Sequence, residues 1–191
     1  MPHFQINNRW TGATLFEGNF VTMRLCVENA ARARANLVGA NLAGADLTNA
    51  NLAGANLARA YLVGANLAGA DLTNANLARA DLTNANLAGA NLAGAYLARA
   101  NLADATIGNG VRVRVLRKVC SRTDGYQFLL WGCEDGAWRV QAGCRFFALP
   151  EAWKHWTRTR DGTPLGEETF DILVMFEHQV ERDDAARKEQ A

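Results

Sequence analysis

The residues from which chemistry could be built are four cysteines, three histidines and a regularly spaced set of arginines. Cys144 with His155 or His178 is a thiol and imidazole combination that could serve as nucleophile and base. Such a pair needs a third group to orient the base and donors for an oxyanion. Neither is legible, and a Cys after Gly143 in an apolar run reads as a small buried hydrophobe. Cys26, Cys120, Cys133 and Cys144 fall at no zinc-like spacing. No catalytic, metal or cofactor site is therefore expected. The arginines are more regular. Arg59, Arg79 and Arg99 stand twenty apart, and Arg112, Arg114, Arg117, Lys118 and Arg122 form a basic run just beyond them. Guanidinium groups in a row suit a partner bearing carboxylates or phosphates. The plainer alternatives are a solvated charge row, eased by neighbours such as Asp81, and a charged strand face that discourages edge pairing.

The stretch that must position these groups runs from Ala35 to Asn109. It reads in fives: ANLVG ANLAG ADLTN ANLAG ANLAR AYLVG ANLAG ADLTN ANLAR ADLTN ANLAG ANLAG AYLAR ANLAD ATIGN. Alanine opens every pentapeptide, and Leu is central in all but the last, where Ile107 takes the place. A period of five drifts around a helical wheel and cannot follow strand alternation, so neither a helix nor a flat strand fits. A chain that turns a corner every five residues does fit. Ala35 and Leu37 then point inward, Asn36 points out, and Val38 and Gly39 make the corner. Four corners close a square coil of twenty residues. Arg59, Arg79 and Arg99 then share one corner, with Leu37, Leu57, Leu77 and Leu97 in one inner column. Tyr61 and Tyr96 replace Asn at outward places on different faces.

The pattern resembles the pentapeptide-repeat family, whose consensus is Ala-(Asp/Asn)-Leu-x-x. The resemblance implies an all-β solenoid, a right-handed quadrilateral β-helix. The family includes DNA-mimicking proteins that bind type II topoisomerases and protect them from drugs or toxins. Fold transfers along such a resemblance better than function does. Mimicry needs rows of carboxylates. Residues 35–109 hold only Asp46, Asp71, Asp81 and Asp104 against three arginines. Topoisomerase binding is therefore the alternative here and not the leading expectation.

Charge names no partner elsewhere. The chain carries 20 basic and 19 acidic residues, and no segment is strongly biased. No leader-like apolar stretch opens it and no run of eighteen apolar residues occurs, so a soluble, cytoplasmic protein with reduced thiols is expected, or a virion-associated one if phage-derived. Residues 1–34 are expected to form an N-terminal cap. Residues 13–32 read as degenerate repeats with Leu15, Phe20, Leu25 and Ala30 at the centres, and Phe4, Ile6 and Trp10 fold over the open end. That count gives about five coils and a shaft of about 24 Å at strand spacing.

Residues 110–191 read as a small α+β module: a three-stranded meander followed by two helices. Asn109-Gly110 ends the shaft. VRVRVLRKV alternates, turns at Thr123-Asp124-Gly125 and Glu134-Asp135-Gly136 follow, and AWRVQAGCRFF is the third strand. Pro150 opens one helix, Asp161 to Pro164 is a loop, and Glu167 and Glu168 begin a second helix with Ile172, Leu173, Phe176 and Val180 at helical spacing. The tail ERDDAARKEQA is expected to be mobile unless something holds it. The stretch TDGYQFLLWGCEDGAWRVQAGCRFFALPEAWKHW resembles a small tail module of phage and bacterial proteins, a resemblance that implies a phage or prophage product and no activity. Four of the five tryptophans lie in this module. Taken together, the expectation is a non-enzymatic structural or adaptor protein. A rigid spacer carries a module that docks a protein partner or a second copy, with no membrane or nucleic-acid partner. Candidate contact residues are Arg59, Arg79, Arg99, Arg112, Arg114, Phe170, Val174 and Phe176.

Overall fold

Residues 35–108 wind into turns of twenty residues, each lying parallel on the next, in the computed structural model, which describes residues 1–108, 110–123, 127–142, 145–160 and 162–189. The expected turns at Asn109 and Asp124-Gly125, the loop start at Asp161, and Gly143-Cys144 lie outside the described residues. Bridges join Asn41 to Tyr61, Tyr61 to Asp81 and Asp81 to Asn101, and likewise on the other faces. Each link is a pair of backbone hydrogen bonds: Tyr61 N–H donates to the Ala40 carbonyl, and Leu42 N–H to that of Tyr61, both at 2.8 Å. Leu37, Leu57 and Leu77 are fully buried, as are most of the leading alanines.

The pentapeptide consensus has a physical reason at each place. The leading Ala and central Leu fill a core too narrow for anything larger. The second residue caps its own corner: Asp71 Oδ1 accepts from Thr73 N–H at 2.9 Å and Asn76 Oδ1 from Ala78 N–H at 3.1 Å, the Asx turns these residues favour. The fifth residue, from Gly39 through Asp104, always has φ between +56° and +71°. Gly, Asn and Asp suit that left-handed region, and at Gly39 a Cβ would also collide with the Trp10 ring. At twenty residues per turn, the repeats make fewer than four turns, a shaft of about 18 Å.

The shaft is shorter than expected because residues 13–32 are not repeats. β1 (His3–Asn7) and β2 (Thr14–Asn19) form an antiparallel hairpin, and α1 (Met23–Arg32) follows. Met23, Cys26, Val27 and Ala30 sit at helical spacing, and Thr22 Oγ1 caps the helix by accepting from Leu25 N–H. That stripe outweighs a five-residue pattern resting on single apolar centres. Cys26, Val27 and Ala30 close the first coil, together with Ile6. Trp10, expected in the cap, is 58% exposed. The hairpin also completes the first turn's backbone pairing: Asn41 N–H donates to the Asn7 carbonyl and Arg9 N–H to that of Gly39, both at 2.8 Å. The buried Glu28 carboxylate accepts from Asn51 N–H at 3.0 Å, where no lower turn exists to do so.

The other end is built on the same principle. Within the coil, β3 (Asn86–Leu87) pairs in parallel with β4 (Thr106–Ile107). The chain then reverses, and β5 (Val111–Ser121) runs antiparallel to β4. β6 (Gln127–Cys133), β7 (Trp138–Ala142) and β8 (Arg145–Ala148) follow antiparallel, so one six-stranded sheet joins coil to module. The expected third strand is thus two, split before Arg145. β6 is buried on both faces: Leu129, Trp131 and Cys133 lie on the end of the coil, and Phe128 and Leu130 lie under α2 (Leu149–Arg160) and α3 (Pro164–Glu189). Its continuous apolar run reflects that double burial. Gln141 substitutes for a missing further turn. Its Nε2 donates to the Ala90 carbonyl at 3.2 Å, while its Oε1 accepts from Trp131 Nε1 at 3.1 Å.

The charged tail is the last turns of α3, held by the protein itself. Arg117 donates twice to Asp183, 2.6 Å from each carboxylate oxygen. Trp138 Nε1 donates to Asp184 at 3.3 Å, and Arg187 lies over the Trp138 ring. The Arg117 hydrogen bonds hold the Asp183 carboxyl below the ordinary carboxylate range.

Two measurements check these junctions. Gln141→Leu leaves a buried carbonyl and a buried indole N–H unpaired, so a loss of about 2 kcal/mol or more is expected in chemical denaturation. Unchanged stability would show that the coil end needs no such cap. For Asp183, a depressed folded-state pKa means the pair's contribution is present above the unfolded value and lost as pH falls through the folded one. Asp183→Asn should therefore destabilise at neutral pH by about 2 kcal/mol. The gap between variant and wild type should close once pH drops below the usual carboxylate range, and a gap that persists in acid would contradict this account.

Candidate functional site

The left-handed corner explains where the arginines stand. Arg59, Arg79 and Arg99 occupy the fifth place of their pentapeptides with φ of +58°, +58° and +60°, and all three are exposed. Arg59 N–H donates to the Ala78 carbonyl and Arg79 N–H to that of Ala98, so the corners are stacked directly. A side chain with a Cβ costs about 1 kcal/mol or more in this region, and Arg lacks the short polar group that eases Asn or Asp there. Among the described residues none of the three pairs with a carboxylate. Asp81 is committed elsewhere, to Thr83 and Asn101.

The stack runs toward a cleft of about 610 Å³ between the last turn of the coil, residues 95–103, and β5, residues 114–119. Arg99 lines one wall, and Arg114, Arg117 and Lys118 line the other; among the described residues no Asp or Glu lines it. Leu97, Leu102, Val115 and Leu116 supply an apolar lining, with Tyr96 and Val119 exposed beside them. β5 has register shifts near Arg114 and Arg117, which bend it away from the coil and open this space. Arg117 has its charge matched by Asp183, so Arg99, Arg114 and Lys118 carry the unbalanced charge. Arg122 points elsewhere: it is buried, donating to Thr169 at 3.1 Å.

The cleft floor is an unfinished turn. In the turns below, the N–H of each central Leu from Leu42 on donates upward, and each leading Ala carbonyl from Ala40 on accepts from the turn above. Along residues 95–102 no such partner exists among the described residues. The N–H groups of Leu97, Arg99 and Leu102 and the carbonyls of Ala95 and Ala100 make no upward hydrogen bond. Val113 N–H closes only the next side, at the Ala105 carbonyl, and β5 is paired to the coil no further than Arg112. Gln127, also lining the cleft, has a buried Oε1 with no hydrogen-bond partner among the described residues.

The other residues singled out from the sequence scatter. Arg112 is exposed outside the cleft. Phe176, on α3, is fully buried in the core between the helices and the sheet, and Phe170 stacks on Trp153 at 5.7 Å, so neither is a free contact; Val174 alone of that group is exposed. Trp131, Trp138 and Trp156 are likewise core residues. Cys144 lies outside the described residues. His155 sits 2.8 Å from an Arg145 nitrogen and stacks on Phe147, and its burial and the nearby Arg145 and Arg158 charges lower its pKa. Burial pushes the Cys26, Cys120 and Cys133 thiols up, away from thiolate chemistry. Asp46, Asp71 and Asp81 fall on three different faces of the coil, and each binds the Thr two residues on. Among the described residues no helix is long and apolar enough to cross a membrane. Sequence reasoning placed Lys118 in the basic run, named Tyr96 only as an outward residue, and missed Gln127. The pairing of Arg99 with Arg114 follows from β5 reversing over the coil, which no periodicity encodes.

The family model for pentapeptide repeats (8 copies) matches residues 35–74 and 75–109. Among solved structures, a pentapeptide repeat protein from the thylakoid lumen of Arabidopsis thaliana is 33% identical over 38% of this chain and 50% of its own, with a TM-score of 0.37. The pentapeptide repeat protein Rfr23 from the cyanobacterium Cyanothece 51142 is 43% identical over 37% of this chain and 51% of its own, with a TM-score of 0.27. A third, alr5209 from Nostoc PCC 7120, is 35% identical over 47% of this chain and 82% of its own, with a TM-score of 0.22. The chain thus spans about half the length of the first two. No curated protein matches. On the unbroken repeat from Ala35 onward and the family match that covers it, the chain belongs to the pentapeptide-repeat family.

Proposed function

We propose that this protein is a non-enzymatic adaptor. Its coil, a right-handed quadrilateral β-helix, serves as a rigid spacer, and an anionic partner is held where the coil meets the C-terminal module. Pentapeptide-repeat proteins are in general structural or interaction proteins, which supports the class. The observation that carries the specific reading is the cleft itself. Arg99, Arg114 and Lys118 face one space that no carboxylate lines among the described residues. Three like charges around one apolar-lined space repel one another unless an anion joins them. Of the candidate contacts on the second helix, Phe176 is buried and Phe170 stacks on Trp153, which favours β5 and the last coil, still partly within residues 110–191. The same spacer role would serve a phage or prophage particle.

Titration calorimetry with inorganic tripolyphosphate tests the cleft as an anion site. Wild type should bind weakly and with strong salt dependence. The triple variant Arg99→Gly, Arg114→Ser, Lys118→Ser should bind at least about tenfold more weakly. Arg79→Gly, one turn lower, should change little and should keep or raise stability, since Gly relieves the strained corner. Equal binding by the triple variant would sink the proposal.

A topoisomerase-directed role predicts a different result. With Asp46, Asp71 and Asp81 on three faces there is no row of carboxylates to stand in for phosphates. Stoichiometric protein should leave gyrase supercoiling unchanged in a gel assay. Clear inhibition at low protein excess would reverse the order of the two readings.

A further inference from the structure

Resting on the anion-cleft reading, we infer that the occupant of the cleft is an extended acidic peptide segment of a partner protein, added as the next rung on the open edge of the last coil turn. Two independent features meet here. The first is the backbone. Leu97, Arg99 and Leu102 offer N–H groups, and Ala95 and Ala100 offer carbonyls, in the spacing that residues 55–62 and 75–82 use to hold the turn above. A parallel strand laid over Tyr96 and Asn101 would repeat the bridges that Asn76 makes with Tyr96 and Asp81 with Asn101. Strand addition to an exposed edge is a general mode of peptide capture, with main-chain bonds giving affinity and side-chain pockets giving selectivity.

The second feature is the charge. An edge left open on a repeat coil invites pairing with any strand, including a second copy. Here the edge is flanked by Arg99, Arg114 and Lys118, which repel another basic segment and attract carboxylates. A strand of alternating acidic and β-branched residues puts its acids on one face and its apolar groups on the other. The apolar face can cover Leu97 and Leu102, the last and least covered leucines of the coil, while the acids meet the three cations. Gln127 Oε1 would gain a donor from such a backbone. The cleft volume lies within the ordinary range for ligand sites, roughly 300–1,000 Å³. Single-stranded nucleic acid would also satisfy the cations. Its phosphates accept from N–H groups but cannot donate to the Ala95 and Ala100 carbonyls, and Tyr96 alone is no stacking platform.

The test uses the full chain and a synthetic, end-blocked peptide of alternating Glu and Val, followed by calorimetry and amide hydrogen exchange. The expected result is salt-sensitive binding that slows exchange at Leu97, Arg99 and Leu102. It should weaken at least about tenfold when alternate peptide nitrogens are methylated, because methylation removes strand donors but keeps every charge. Arg99→Gly should weaken it about three- to tenfold, a loss of one charge contact at a corner where Gly fits the backbone. A Ser-Val peptide should bind far more weakly; equal binding would overturn the acidic assignment. If the methylated peptide binds as well as the parent, or the three amides stay unprotected, strand addition is wrong, while tripolyphosphate binding in the same cell still upholds the anion cleft. If neither probe binds, both readings fall together. An oligonucleotide that binds more tightly and displaces the peptide would overturn the inference in favour of nucleic acid. Light scattering that shows copies pairing through this edge, abolished by the peptide, would overturn it in favour of a second copy.

Discussion

Each turn of the coil depends on its neighbours for most of its backbone hydrogen bonds. Inside the stack that demand is met automatically, because every pentapeptide repeats the geometry of the one twenty residues before it. The ends are where it fails, and the rest of the structure can be understood as the ways those failures are met. At the start, a hairpin strand and the Glu28 carboxylate stand in for a lower turn. At the finish, β5 and the Gln141 side chain stand in for an upper one. Unpaired backbone groups cut off from water cost more than the bonds they would make are worth, so such caps are a condition of the fold and not an ornament.

The exception is what gives the molecule a site. The substitution by β5 stops after one side of the square, and register shifts then bend the strand away. The next side of the last turn keeps its donors and acceptors, and it lies where the basic corner column meets a basic strand. Edges of this kind are usually blunted. Here the flanking charges of Arg99, Arg114 and Lys118 are the protection we propose, one that would favour acidic strands over others.

The same dependence sets the character of the C-terminal module. A sheet that must close a coil on one face still exposes its other face, and that face is apolar in β6, so two helices are needed to cover it. Trp138, Trp153, Trp156 and Phe176 serve that cover, which is why they are not free for a partner. The charged end of α3 is ordered for a local reason: Arg117 and Trp138, both on the sheet, each find an acid there.

Much of this was legible in the sequence. The five-residue period determines the coil, because only a chain turning at every fifth residue puts Ala and Leu inside and leaves a left-handed corner for Gly, Asn and Asp. The shared corner of Arg59, Arg79 and Arg99 follows from the same arithmetic. Residues 23–32 carried a readable helix stripe and an N-cap at Thr22, and a strong repeat downstream obscured it. Other features were decided only by tertiary structure. The division of AWRVQAGCRFF into two strands, the burial of Phe176, the salt link from Arg117 to Asp183 across sixty-six positions, and the meeting of Arg99 with Arg114 and Lys118 all depend on where β5 turns back over the coil. A period describes contacts between neighbours in a stack. It carries no information about how a non-repeating segment lands on the stack's end, where packing against one particular surface decides which side chains are covered and which are left to bind.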